Sequence, residues 1–144
     1  MAGNRVFLDS SILITAILSS QGGSFYILTQ LKDKFYFQIN NYVLEEVFEV
    51  LDKKFYSQKE LKNYLFLLLG LAKVEILPNS SQSSLKRLFK VINREDAPIL
   101  ASVFLNSNYL LTLDKDFLNE KVRDLARKNN VLIFTPKEFI SFLQ

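Results

Sequence analysis

The sequence predicts an α/β domain built on a mainly parallel β-sheet. Apolar runs rich in β-branched and aromatic residues alternate with helix-period segments from end to end, the pattern of strands joined by helical crossovers. The length of 144 residues suits one domain, spanning 1–144, and 49% apolar residues are ample to fill its core. With 13 Phe, 6 Tyr, no Trp and one Met, aromatic rings must supply much of that core.

Five runs read as strands: Val6 to Leu8, Phe35 to Ile39, Val74 to Leu77, Tyr109 to Leu113 and Val131 to Phe134. The first is followed by a helical region that Gly22-Gly23 interrupts, so a second helix is expected over Ser24 to Leu31. Tyr42 to Leu51 carries Val43, Leu44, Val47, Phe48 and Leu51 on one helical face. Ser57-Gln-Lys-Glu60 and Thr135-Pro136-Lys137-Glu138 fit the capping box, the second with Pro in the first helical position. The polar stretch Asn79 to Ser84 reads as a surface loop before a helix over Leu85 to Ile92. Pro98 belongs in the first turn of a helix facing inward with Ile99, Leu100, Val103 and Phe104. A further helix is expected near Phe117 to Arg127.

The chain contains no Cys and no His, which excludes thiol catalysis, Ser-His-Asp triads, disulfides and His- or Cys-based zinc sites. Four glycines leave no Gly-rich phosphate cradle. Catalysis, if present, must run on carboxylates, hydroxyls, amines and hard metals. The balance of 18 basic against 15 acidic residues is only mildly basic, so it points weakly to a polyanion. The N-terminal run contains Asp9 and no small-residue cleavage site follows it. The longest uncharged apolar stretch, Tyr64 to Ala72, is well short of the roughly 20 residues that span a bilayer. A soluble, cytoplasmic protein with no membrane association is expected.

Two aspartates follow apolar strands, Asp9 after Val6-Phe7-Leu8 and Asp114 after Tyr109 to Leu113. In open parallel sheets ligands bind beyond the carboxyl ends of the strands, so both are site candidates. Each has a plainer reading. Asp9 could cap the next helix, as could Ser10 or Ser11, and Asp114 and Asp116 could open a turn. Asp96, just before Pro98, sits at an N-cap position. On the Tyr42 to Leu51 helix Glu45 and Glu49 face away from the apolar side, whereas Glu46 stands at its margin and is the less solvated. A surface Glu with its stem over the core would fit that position too.

Taken in order, Val6-Phe-Leu-Asp9-Ser10-Ser11, Val43-Leu-Glu-Glu46-Val, Asp96-Ala-Pro-Ile-Leu-Ala-Ser and Leu110-Leu-Thr112-Leu-Asp114-Lys-Asp116 resemble the PIN-domain nucleases. The likeness is greatest to the small single-domain type that includes VapC-like toxins. The resemblance implies a three-layer α/β/α fold with strand order 3-2-1-4-5. It implies an acidic metal site of Asp9, Glu46, Asp96 and Asp114, with Asp116 as a further acid. Ser11 and Thr112 match polar positions that orient a carboxylate or a water. Both the helix face and the motif favour Glu46 over Glu45.

Convergent carboxylates repel one another, and a divalent cation relieves that repulsion. All-oxygen ligation points to Mg²⁺ or Mn²⁺ and to metal-assisted hydrolysis of RNA phosphodiesters. The phosphates need cations near the acids, for which Arg94 and Lys115 are placed by their neighbours Asp96 and Asp114; Lys53, Lys54, Lys86, Arg87 and Lys90 are further donors. The resemblance also implies a small antitoxin partner and a homodimer, to which Tyr64 to Ala72 could contribute if it is not core. A non-catalytic PIN-like module binding RNA or protein, a housekeeping RNA-processing nuclease and an aspartate-based phosphotransfer domain are the alternatives. The last is weakened because no second aspartate stands two residues after Asp9.

Overall fold

The computed structural model describes residues 3–144. In chain order the elements are β1 (Arg5–Leu8), α1 (Ser10–Leu18), α2 (Gly23–Gln30), β2 (Tyr36–Asn40), α3 (Asn41–Lys54), α4 (Glu60–Leu71) and β3 (Glu75–Leu77). They continue as α5 (Gln82–Lys86), α6 (Ala97–Asn106), β4 (Tyr109–Leu111), α7 (Lys115–Leu118), α8 (Glu120–Lys128), β5 (Leu132–Phe134) and α9 (Pro136–Leu143). The five strands form one parallel sheet in the order β3-β2-β1-β4-β5, with helices on both sides. This is the order that the resemblance to PIN domains implied.

Each expected strand is present, with ends shifted by one or two residues. Val6, Phe7 and Leu8 of β1 are fully buried, as a central strand covered on both faces requires. The strand expected to reach Leu113 ends at Leu111, because side chains take over the backbone bonding. The Leu113 amide donates to Ser11 Oγ (3.1 Å) and the Asp114 amide to Thr112 Oγ1 (2.9 Å).

Polar side chains inside the β2–α6 layer set the positions of two helices. Gln38 and Asn40 alternate along β2 and face α6. Gln38 accepts from Ser107 Oγ (2.7 Å) at the end of α6 and donates to Glu75 (2.8 Å). Asn40, fully buried, caps α3 by accepting from the Val43 amide (2.9 Å). Its Nδ2 donates to Pro98 O (3.2 Å) in the first turn of α6 and to Ser102 Oγ (2.9 Å) one turn further on. One amide thus joins α3, which carries Glu46, to α6, which follows Asp96. Asn40→Ala removes the cap and strands buried partners, so a loss of about 2 to 4 kcal/mol is expected in urea unfolding.

Four expectations about helices are corrected. The helix placed over Leu85 to Ile92 is instead α5, begun earlier because Ser81 caps it by accepting from the Ser84 amide (3.4 Å). Single turns carry the chain on from Arg87 to Ile92, with Leu88 and Ile92 buried. The polar stretch is therefore more than a loop: Asn79 Oδ1 also accepts from the Tyr42 amide (2.9 Å). The Ser57–Glu60 box does not form; α4 begins at Glu60 after Lys59, with no side-chain cap. The helix near Phe117 to Arg127 is divided, since Asn119 Oδ1 accepts from the Val122 amide (2.9 Å) and starts α8 anew. The Thr135 box does form in both directions, and Glu138 also pairs with Arg123 (3.2 Å). The Thr135 amide, assisted by Arg123, holds the Glu138 carboxyl below its ordinary range.

Tyr64 to Ala72 divides between two roles. Leu65, Leu68, Leu69 and Ala72 join the core, while Phe66, Leu67 and Leu71 remain exposed. Among the described residues no single helix is long and apolar enough to cross a membrane.

Candidate metal centre

The carboxyl ends of β1, β2 and β4 lie along one edge of the sheet because the strands are parallel neighbours. Asp9 leaves β1 there, its amide bonded to Leu111 O (3.1 Å). Its side chain is 3% exposed and fully engaged. Oδ1 accepts from the Ser10 amide (2.7 Å), and Oδ2 accepts from Ser11 Oγ (2.9 Å) and Thr112 Oγ1 (2.7 Å). Asp9 therefore does cap α1, and the same carboxylate is tied to β4 through Thr112.

Ser11 and Thr112 act as relays. Each hydroxyl donates to Asp9 while accepting an amide of the segment leading to Asp114. This holds the start of α7 against Asp9. Asp114 in turn accepts from the Asp116 amide (2.9 Å), so its turn-forming role is also realised. For Asp96 the capping alternative fails: it occupies the N-cap position of α6 but makes no side-chain cap bond. At 8% exposure its carboxylate is left facing other acids.

An oxygen from each of Asp96, Asp114 and Asp116 lies within 4.8 Å of the other two. Asp9 and Glu46 border this trio, close enough that charge on Asp9 acts on both Asp96 and Glu46. Glu45 and Glu49 are exposed on α3, whereas Glu46 is partly buried. Glu46 Oε1 is buried without a hydrogen-bond partner among the described residues.

Burial and mutual repulsion act together on these groups. Burial raises the Asp9 carboxyl, against the pull of its Thr112, Ser11 and Ser10 bonds. Burial, then the charges of Asp9 and Asp96, push Glu46 up to about 7. Asp96 is likewise pushed up to about 7, first by burial and then by Asp114, Asp116 and Asp9, with Asn93 opposing. Tyr42 beside them is pushed up to about 12 by burial and by Glu46 and Asp96, so it stays a neutral phenol.

These residues fit a hard divalent cation: an unpartnered buried carboxylate oxygen, three carboxylates within ligating reach of one another, and only oxygen donors. Arg94 and Lys115 are both exposed, two residues before Asp96 and next to Asp114 in the chain. The Arg94 guanidinium lies over the Phe89 ring, 4.7 Å from its centroid.

Sequence reasoning missed Asn93 and Tyr42. Asn93 Oδ1 accepts from the Asp96 amide (2.9 Å) and its Nδ2 donates to Asp116 Oδ2 (3.0 Å), bridging two acids from separate elements. The signal available was Asn three residues before Asp96, a spacing at which an Asn side chain caps the amide of the following turn. Asn93→Ala is expected to weaken Mn²⁺ binding about tenfold in titration calorimetry, since Asp116 loses the contact that orients it.

No protein-family model matches the chain, and no curated protein matches it. Among solved structures it is similar to a chain of VapBC2 from Rickettsia felis bound to a DNA fragment from their promoter. That chain is 20% identical, the match covers 91% of this chain and 98% of that one, and the TM-score is 0.66. A likeness of that extent over nearly both full lengths is a likeness of fold: this chain has a PIN-like α/β architecture, with its acids gathered where parallel strands end.

Proposed function

We propose that this chain, as a single PIN-like domain over 1–144, is an endoribonuclease dependent on Mg²⁺ or Mn²⁺ and serves as the toxin of a toxin–antitoxin pair. The observation that carries the nuclease reading is the gathering of Asp96, Asp114 and Asp116 beside buried Asp9 and Glu46, whose Oε1 has no partner among the described residues. Asp96, Asp114 and Asp116 would hold the cation, with Asp9 ligating directly or through water. When bound, the ion supplies an activated water and neutralises charge developing on the phosphodiester.

The chain's own residues do the rest. Glu46, pushed up to about 7, sits where its free Oε1 can orient the attacking water and take its proton near neutral pH. Thr112 and Ser11 keep Asp9 and Asp114 in register, and Arg94 and Lys115 offer positive charge to the RNA backbone beside them.

The toxin reading draws on the resemblance to VapC-like proteins and on the fold shared with a chain of VapBC2. It brings with it a small antitoxin partner, a cytoplasmic setting and a homodimer, for which exposed Phe66, Leu67 and Leu71 offer apolar surface. Incubation with single-stranded and structured RNA is expected to give cleavage with Mn²⁺ or Mg²⁺ and none with chelator. Binding that proceeds without cleavage at any metal concentration would instead favour the non-catalytic module. Growth arrest on expression, relieved by the product of an adjacent small gene, tests the toxin role separately.

A further inference from the structure

A groove of about 690 Å³ opens at the junction of α1, the α1–α2 turn, Leu113 and α9. Its connection to the acids runs through the chain neighbours Leu113 and Asp114 and through α1. Ser11, bonded to Asp9, stands one helical turn, about 6 Å, from Thr15, and Ser19 follows at the C-cap of α1, extending a row of hydroxyls into the groove. Leu113, which lines the same space and is 44% exposed, is the chain neighbour of Asp114 and is pinned by Ser11.

Two glycines shape the opening. A Cβ on Gly23 would come within 3.1 Å of Pro136 Cβ, so its absence lets α2 approach α9. A Cβ on Gly22 would meet nothing but Ser19, at 3.8 Å or more, and would otherwise point into open space.

The lining combines apolar Leu113 and Ile140 with the hydroxyls of Ser19 and Ser141 and the ammonium of Lys137. It contains no acidic residue, although the cluster next to it is made of them. Lys137 has no ion-pair partner among the described residues. An apolar floor, hydrogen-bonding edges and one cation suit a splayed nucleobase with its phosphate, the usual form in which single-stranded RNA is read.

We propose that this groove binds the nucleotide flanking the scissile phosphate of a single-stranded RNA and sets the enzyme's sequence preference. The base lies over Leu113 and Ile140, its edge meets Ser19 and Ser141, and its phosphate meets Lys137. The proposal rests on the nuclease reading for its position in catalysis, but binding can be measured without cleavage.

Full-length protein carrying Asp9→Asn is titrated by fluorescence anisotropy with short labelled oligoribonucleotides of the four homopolymer sequences. Gly22→Phe on that background, placed at an extended backbone position that any residue adopts (φ −89°, ψ 169°), fills the groove. It is expected to weaken binding at least tenfold and to level the differences among the four sequences. Lys137→Glu, at an exposed site that leaves the core untouched, is expected to weaken all four about tenfold. Lys137→Ala should lower the slope of log affinity against log salt by about 0.7, the value for one single-strand phosphate contact. Mn²⁺ affinity should be unchanged in each. Affinities within twofold of the parent in both Gly22→Phe and Lys137→Glu, or no oligonucleotide binding by the parent, would overturn the proposal. Wild-type protein that binds through the groove but does not cleave with Mn²⁺ would overturn the nuclease reading alone.

Discussion

Asp9→Asn is expected to reduce Mn²⁺-dependent RNA cleavage by about a thousandfold or more while leaving the fold intact. A bound metal contributes several kcal/mol to the charge stabilisation of phosphodiester hydrolysis, and each factor of ten in rate corresponds to about 1.4 kcal/mol. Losing the buried charge that borders the Asp96, Asp114 and Asp116 trio should remove about 4 kcal/mol of that. The stability effects of the substitution oppose one another. An amide in place of Oδ2 faces the hydroxyls of Ser11 and Thr112, which now donate to that oxygen. Both must turn to accept, and both already accept a backbone amide, so their protons lose a partner at a cost of about 1 to 3 kcal/mol. Against this, the amide removes a buried charge that repels Glu46 and Asp96. The melting temperature should stay within about 5 °C of wild type. Exposed Asp33→Asn serves as the control and should cleave at the wild-type rate. Cleavage by Asp9→Asn within threefold of wild type would remove the metal mechanism.

The second large effect is a stability that falls toward neutral pH and returns on addition of metal. Asp9, Glu46 and Asp96 all have folded-state carboxyls raised above their ordinary values. Between the unfolded value near 4 and the folded value of about 7 for Glu46 and Asp96, the native state holds more protons than the unfolded chain. Stability must then decrease as pH rises through that window, the reverse of a salt-bridged carboxylate. Discounted for solvent screening, the loss is a few kcal/mol, or about 5 to 10 °C in melting temperature. Metal-free protein should melt higher at pH 5 than at pH 7.5. Saturating Mn²⁺ should recover the difference at pH 7.5 and do little at pH 5, where protons compete for the same oxygens. Glu46→Gln should flatten part of the pH dependence in scanning calorimetry. A melting temperature that climbs from pH 5 to pH 7.5 without metal would show that burial and mutual repulsion do not raise these carboxyls as described.

Local chemistry made much of this protein readable before its structure. The runs Val6 to Leu8 and Tyr109 to Leu111 are strands because their apolar content is continuous. Thr135 starts α9 because its capping partners lie within four residues. Where the expectations failed, the deciding contact was either one competing side chain or a distant one. Ser81 and Asn119 outcompeted the helix starts inferred from apolar spacing, and Ser57, in a box of suitable sequence, capped nothing. The cradle of Asn40, Pro98 and Ser102 left no signature, because its partners lie 58 and 62 residues apart.

The acids divide along the same line. Which carboxylates follow strands, and that Glu46 rather than Glu45 faces inward, is set by sequence periodicity, a property of neighbours on one element. That Asp96 is left uncapped and turned toward Asp114 and Asp116, that Asn93 bridges two of them, and that Glu46 Oε1 finds no partner, only the tertiary structure decided. The reason is physical. Periodicity and capping act within a turn or two of chain, whereas burial and charge repulsion depend on which strands end side by side, and parallel crossovers bring together residues more than 100 positions apart.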